Sequence, residues 1–397
     1  MSFLVAGTAV GLFFKPILDE FGWDRATLSL ISAISMLFFA VLSPLLGRLI
    51  DRFGPRIMLL ASVISQTLSS IFNGLATGMA SIYIARFLYV LKPNQGTQVL
   101  INHWFVKERG KALGILCTSN SLGTLVLSPV SQYLILYWGW RYTFLFWAGV
   151  TLVVTLPLLL LIRNKPEDMG LHPDGEIQEN KMSLRSSPQL QMNGINGGVN
   201  TNAVQNMKEV VSRRPFWLLS ATQLICGIGC GLMMTHTVIF ATDLGHSAII
   251  GATFLSMQGG FSLLGVLVTG PMSDRIARHK VLALTHIIRS ISFLIMIFAV
   301  VYSDGSLWIL FSSMALFGFG WFTTAPLSGA LVADLFGNLR MGTILGIILA
   351  SHTIGFAIGT YAGGITYQIT GSYVLIFIIQ GLLEFAAASL AFAIRKA

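Results

Sequence analysis

The chain has 397 residues, 54% of them hydrophobic and 10% charged, with a mean hydropathy of +0.75. Soluble domains carry roughly 25% charged residues, so a water-facing globule is excluded and the apolar surplus must face lipid. The net charge of +9 would suggest nucleic acid on a soluble protein, but the placement of the basic residues along the chain excludes that reading.

Apolar runs long enough to cross a bilayer, about 20 residues each, begin with Ser2–Leu18, Ala26–Leu46, Ile57–Thr77 and Ala80–Trp104, followed by Ala112–Tyr137 and Tyr142–Ile162. The first is short and has no basic lead, which raises the expectation of further residues ahead of it; no cleavable signal peptide is evident. A polar stretch, Arg163–Arg214, is rich in Asn, Gly, Ser and Gln and reads as a flexible linker too poor in apolar residues to pack. Then come Phe216–Thr242, Ala248–Val268, Val281–Val301, Leu307–Leu335, Gly342–Tyr367 and Tyr373–Ala393. The expectation is an all-α polytopic membrane protein of about twelve transmembrane helices in two pseudo-symmetric six-helix bundles, residues 1–162 and 215–397, joined by a cytoplasmic linker, 163–214. Pro and Gly inside the runs fit kinked membrane helices.

With both termini in the cytoplasm, most Lys and Arg fall in cytoplasmic loops, among them Arg48, Arg52, Arg56, Lys107, Arg109, Lys111, Arg275, Arg278 and Lys280. That asymmetry sets the orientation, with Arg25 and Arg141 in outer loops. A monomer in the cell (inner) membrane is expected.

The stretch Gly47–Arg56, GRLIDRFGPR, is a tight basic loop between two apolar runs, and it returns in weaker form at Gly270–Lys280, GPMSDRIARHK. Gly47, Asp51, Arg52, Gly54 and Arg56 resemble the G-x-x-x-D-R-x-G-x-R loop of the major facilitator superfamily. The second copy keeps Gly270, Asp274 and Arg275, with Ala277 and His279 at the later positions. The resemblance implies alternating access, with Asp51, Arg52, Arg56, Asp274 and Arg275 in gating charge pairs that form in one state and break in another. Phe13–Ala26, Ile101–Ile115, Gly139–Ala148 and Arg163–Gly175 are similar to bacterial members of the monocarboxylate porter and oxalate–formate antiporter branch. Mammalian-type monocarboxylate porters place a lysine mid-way along helix one and an arginine in helix eight against carboxylate, and the oxalate branch a lysine in helix eleven. Here helix one offers only Lys15 near its outer end, helix eight has no charge, and helix eleven offers His352.

Charges within spans are costly and mark function or pairing. Lys92 lies roughly 18 Å along helix four from its outer end, near the midplane, followed by Pro93, Asn94, Gln95 and Gly96. It is the candidate carboxylate anchor, with Asn94 and Gln95 as candidate cavity amides; a lysine snorkelling or paired to another helix is the competing reading. Arg86, in the same helix, is a candidate for cargo attraction or proton coupling. Arg289 and Glu384, in helices nine and twelve, read as a structural ion pair. His352 could hydrogen-bond cargo or titrate, His236 less so, and Asn120 and Trp321 are the favoured cavity residues from the polar runs of helices five and ten. Cys117, Cys226 and Cys230 all lie in apolar runs and read as small core residues without metal spacing.

The reading that follows is a secondary transporter of a small organic anion, a monocarboxylate by preference, with the lipid bilayer, the small-molecule substrate and protons as partners. A neutral cargo and a non-transporting sensor are the alternatives. No ATP-binding loop, H-E-x-x-H or G-x-S-x-G occurs, so no cofactor, metal or enzymatic chemistry is expected.

Overall fold

In the computed structural model, residues 10–92, 96–105, 109–171, 207–302, 306–336 and 341–394 are described. They are helical, without a β-strand. Nine of the helices are long and apolar enough to cross a membrane. Side chains such as Trp308, Leu161 and Val41 stand out from the bundle, more than 70% exposed, as a lipid-facing surface requires.

The first helix, α1 (Val10–Phe21), precedes α2 (Arg25–Phe53), whose first turn is capped by Asp24 Oδ1 accepting from the Thr27 amide at 2.6 Å. Gly47–Phe53, expected as a loop, forms the last two turns of α2. The chain reverses at Gly54 alone, which holds φ 82°, and Pro55 opens α3 (Pro55–Gly74). Glycine supplies the left-handed angle and proline fits the first helical position, so one residue suffices for the turn.

The span expected at Ala80–Trp104 is two helices, α4 (Met79–Val90) and α5 (Gly96–Trp104). The next, α6 (Arg109–Val150), takes in two expected spans and breaks at Gly139, φ 79°. A π-helical turn at Thr151–Thr155 leads into α7 (Leu156–Leu161). Most of the expected linker, residues 172–206, lies outside the described residues. Its far end does pack: α8 (Met207–Ser212) buries Val210 against Phe216, Leu219 and Leu282. Composition hid this because one well-placed valine is enough to seat a two-turn helix.

Then follow α9 (Arg214–Asp243), α10 (Ala248–Arg275), α11 (Arg278–Tyr302), α12 (Leu307–Phe319), α13 (Thr324–Phe336), α14 (Met341–Thr370) and α15 (Val374–Phe392). The span expected at Leu307–Leu335 is therefore also broken, at Gly320–Thr323.

The closest helix pair is α9 with α14. Gly227 and Gly231 face Gly355 and Gly359. A methyl group at Gly227 would stand 2.0 Å from the His352 carbonyl oxygen, and one at Gly355 would stand 2.0 Å from that of Leu224. Two G-x-x-x-G ridges thus touch backbone to backbone, as membrane helices do where dispersion replaces the hydrophobic effect.

Candidate functional site

Both interrupted helices carry candidate residues at their breaks. Below α4 the chain makes a tight turn, the Lys92 amide donating to the Tyr89 carbonyl at 3.3 Å. Lys92 is 2% exposed. Its Nζ lies 3.3 Å from Gln66 Oε1 on α3 and 4.9 Å from the centre of the Tyr89 ring. The ammonium is therefore turned toward α3, whose polar stripe also holds Ser69, donating to the Ala85 carbonyl at 2.7 Å. Arg86 is buried one and a half turns away, with its Nε unpaired. Asn94 and Gln95 lie outside the described residues.

At the α12–α13 break, Trp321 is buried and stacks on Phe322, ring centres 4.7 Å apart. The Phe322 amide donates to Ser262 Oγ on α10 at 3.3 Å, and Ser262 Oγ lies 3.3 Å from Ser121 Oγ on α6. Asn120, the neighbour of Ser121 on α6, is half-buried.

A third group is fully buried. Arg289 NH2 lies 2.7 Å from Glu384 Oε1, and His286 Nδ1 donates to Glu384 Oε2 at 2.7 Å. Gln380 Nε2 donates to Glu384 Oε1 at 3.1 Å. The Arg289 guanidinium also donates to Cys226 Sγ at 2.8 Å and lies 3.7 Å from Cys230 Sγ. Both carboxylate oxygens are satisfied, the condition under which a buried pair is tolerated. His286 escaped the sequence reading, although its spacing of three from Arg289 places both on one face of α11. Next to this group, the Cys226, Cys230 and His352 ligand atoms lie within 4.8 Å of one another. The signal for that set was present as the Cys-x-x-x-Cys spacing on one face of α9.

At one end of the bundle, Arg25 at the start of α2 forks onto Asp243 at the end of α9, NH1 to Oδ2 at 2.5 Å and NH2 to Oδ1 at 2.7 Å. Arg25 also donates to the Tyr373 hydroxyl at 3.2 Å and lies 3.6 Å over the Tyr367 ring. His236 is held between the Thr360 carbonyl at 2.9 Å, to which Nε2 donates, and the Tyr373 hydroxyl at 3.1 Å. Beside this latch Arg141 pairs with Glu20 and donates to the Ala76 carbonyl at 2.7 Å. The guanidinium holds the Glu20 carboxyl below its usual range. Asp243 and Tyr373 were missed in the sequence because their partner lies over 200 positions away.

At the opposite end, the Asp51 side chain is not among those described, and Arg52 is exposed beside Phe53. Arg56 ties α3 to the end of α7, its amide donating to Asn164 Oδ1 and its NH2 to the Leu160 carbonyl, both at 2.8 Å. Asp274 is 74% exposed, 3.9 Å from Arg278, and Arg275 is exposed. Arg278 instead bonds Asp334 at 2.5 Å. In the second copy of the motif the close contact is thus made by Arg278.

The sequence profile of the Major Facilitator Superfamily matches residues 1–360 and 261–397. The chain is 27% identical over 377 residues to the MFS-type transporter YcxA of Bacillus subtilis, covering 92% of this chain and 85% of that one. It is 26% identical over 367 residues to an MFS-type transporter of Gibberella moniliformis, covering 90% and 80%. Monocarboxylate transporter 13 of Rattus norvegicus is 21% identical over 381 residues, covering 94% and 80%.

Proposed function

The chain belongs to the Major Facilitator Superfamily, and from that premise we propose that it moves a small organic anion, a monocarboxylate, across the cell membrane by alternating access. The observation that carries this reading is a buried lysine, Lys92, at the break between α4 and α5. The break between α12 and α13 stands at the corresponding place in the second set of six expected spans. Interrupted helices at corresponding positions are the usual signature of a midplane site, where freed backbone groups line a cavity. Lys92 supplies the charge that attracts a carboxylate, and Trp321 an aromatic wall. Asn94, Gln95, Asn120 and His352 are the further candidate contacts. The names of relatives such as monocarboxylate transporter 13 support the substrate class.

Alternating access needs two bodies, and we assign them to residues 1–162 and 215–397. Arg25–Asp243 joins the two at one end, whereas the contacts at the other end, Arg56 to the Leu160 carbonyl and Arg278 to Asp334, each stay within one body. On the expected orientation, with both termini cytoplasmic, this is a state closed to the outside. Asp51, Arg52, Asp274 and Arg275 belong to the gate on the cytoplasmic side, and Arg86 is the candidate for proton coupling. Arg289–Glu384 holds the second body together.

The test is uptake by proteoliposomes of labelled monocarboxylates, dicarboxylates, sugars and amines, with and without a proton gradient. Saturable uptake of monocarboxylates supports the proposal. Uptake confined to neutral or cationic compounds overturns it.

A further inference from the structure

The G-x-x-x-G contact between α9 and α14 has a chemical result. Cys226 and Cys230 each precede a ridge glycine, and the His352 carbonyl lies against one of them, Gly227. Two sulfurs and one imidazole therefore converge within 4.8 Å. Both cysteines are buried and His352 is half-buried, which leaves the imidazole side open as an entry route.

We propose that Cys226, Cys230 and His352 form a three-ligand site for one soft divalent cation of the zinc class. A tetrahedral ion with bonds of about 2.3 Å to sulfur and about 2.0 Å to nitrogen holds its ligand atoms about 3.5–3.8 Å apart. The set must tighten by up to about 1 Å, a side-chain rotation rather than a helix movement. Three protein ligands leave a fourth position for water, the pattern of an exchangeable site.

The surroundings fit this chemistry. Arg289 donates an N–H to Cys226 Sγ at 2.8 Å, and such outer hydrogen bonds hold ligating sulfurs in their charged form and orientation. Two thiolates, a divalent ion, the Arg289 guanidinium and the Glu384 carboxylate sum to zero charge, which a buried site requires. A monovalent ion would leave one negative charge over. Binding displaces one proton from each thiol, and the two protons leave to water. A disulfide is the poorer use of the same pair. Residues four apart on a helix have β-carbons about 5–6 Å apart, and a disulfide needs about 3.5–4.5 Å.

The experiment uses the full chain, purified in detergent under a thiol reductant, with Co2+ and then Cd2+ as probes. The expected result is one Co2+ per chain after gel filtration, with a sulfur-to-cobalt charge-transfer band and the visible bands of tetrahedral cobalt. Cys226→Ser and His352→Ala should each weaken Cd2+ binding by at least about tenfold, because losing even a residue that only supports a metal ligand costs about 10–100-fold. Should a variant fail to fold, X-ray absorption on the Cd2+-loaded wild type decides alone, two sulfurs in the first shell supporting the site and none contradicting it. A wild type that retains no cobalt, or serine variants that bind it as well, would overturn the proposal. None of these readouts depends on transport, so the site can fail while the anion reading stands.

Discussion

Arg25 NH2 and Asp243 Oδ1 meet at 2.7 Å, joining the start of α2 to the end of α9. Both side chains are 18% exposed, and the guanidinium is sandwiched between Asp243, the Tyr373 hydroxyl and the Tyr367 ring face. A forked pair in this setting is stronger than an open surface pair. It links two helices over 200 residues apart in the chain, and on the proposed two-body division it is the contact a gate would have to break.

Arg25→Ala should therefore shift the resting equilibrium away from the state closed at this end. Charged hydrogen bonds of this kind contribute about 1.5–3 kcal/mol, enough to change the ratio of two states by roughly tenfold or more. Spin labels placed across the Arg25 end would report longer distances in the variant. An unchanged distance distribution would show that the fork is decorative. The exchange Arg25→Asp with Asp243→Arg should restore part of the closed population.

Glu20 gives a pH signature at the same end. Arg141 holds its carboxyl below the usual range, so its contribution is present above the unfolded value of about 4.3 and is lost as pH falls through the lower folded value. The melting temperature in detergent should drop in acid by a step that Glu20→Gln lacks. Identical acid profiles would remove this role.

Removing one partner of a buried pair leaves a charge uncompensated and costs about 3–5 kcal/mol, whereas replacing both with apolar groups costs much less. Glu384→Leu or Arg289→Met should thus destabilise strongly. The double variant Arg289→Met with Glu384→Leu should be more stable than the sum of the single effects implies. Thermal melts of the four proteins form the cycle, and simple additivity would refute a coupled pair.

Two glycines of α14 separate packing from propensity. An added methyl at Gly355 meets the Leu224 carbonyl oxygen at 2.0 Å, while at Gly346 nothing lies within 4 Å. Gly355→Ala should destabilise by about 1–3 kcal/mol through overpacking, and Gly346→Ala should be neutral or slightly stabilising. Equal melting temperatures would mean that the α9–α14 contact is looser than described.

Composition alone placed the chain in a bilayer, because so few charges cannot cover a water-facing surface. The hydrophobic runs located most helices, yet hydropathy could not see that two of them are broken. Pro93 and Gly96 marked one break in the sequence, and Gly318 and Gly320 the other only weakly. The reversal at Gly54 was narrower than expected because hydrophilic Arg48, Asp51 and Arg52 read as loop although they sit on helix. Arg289 and Glu384 stood out as charges of opposite sign in apolar runs, but a single histidine and glutamine in such runs, His286 and Gln380, gave no comparable signal. The Arg25–Asp243 fork and the Cys226–Cys230–His352 set depend on which helices touch, a property of tertiary packing that no local pattern carries. Lys92 was legible as a basic residue within an apolar run, but its direction, toward Gln66 on α3, was not.

The most direct test of organic-anion transport through Lys92 is the concentration dependence of monocarboxylate uptake in proteoliposomes, wild type against Lys92→Gln. Loss of one charge-assisted contact of about 1.5–3 kcal/mol should weaken the apparent affinity by roughly tenfold or more, while Lys92→Arg retains part of it. Uptake by Lys92→Gln with unchanged affinity and rate would contradict the account.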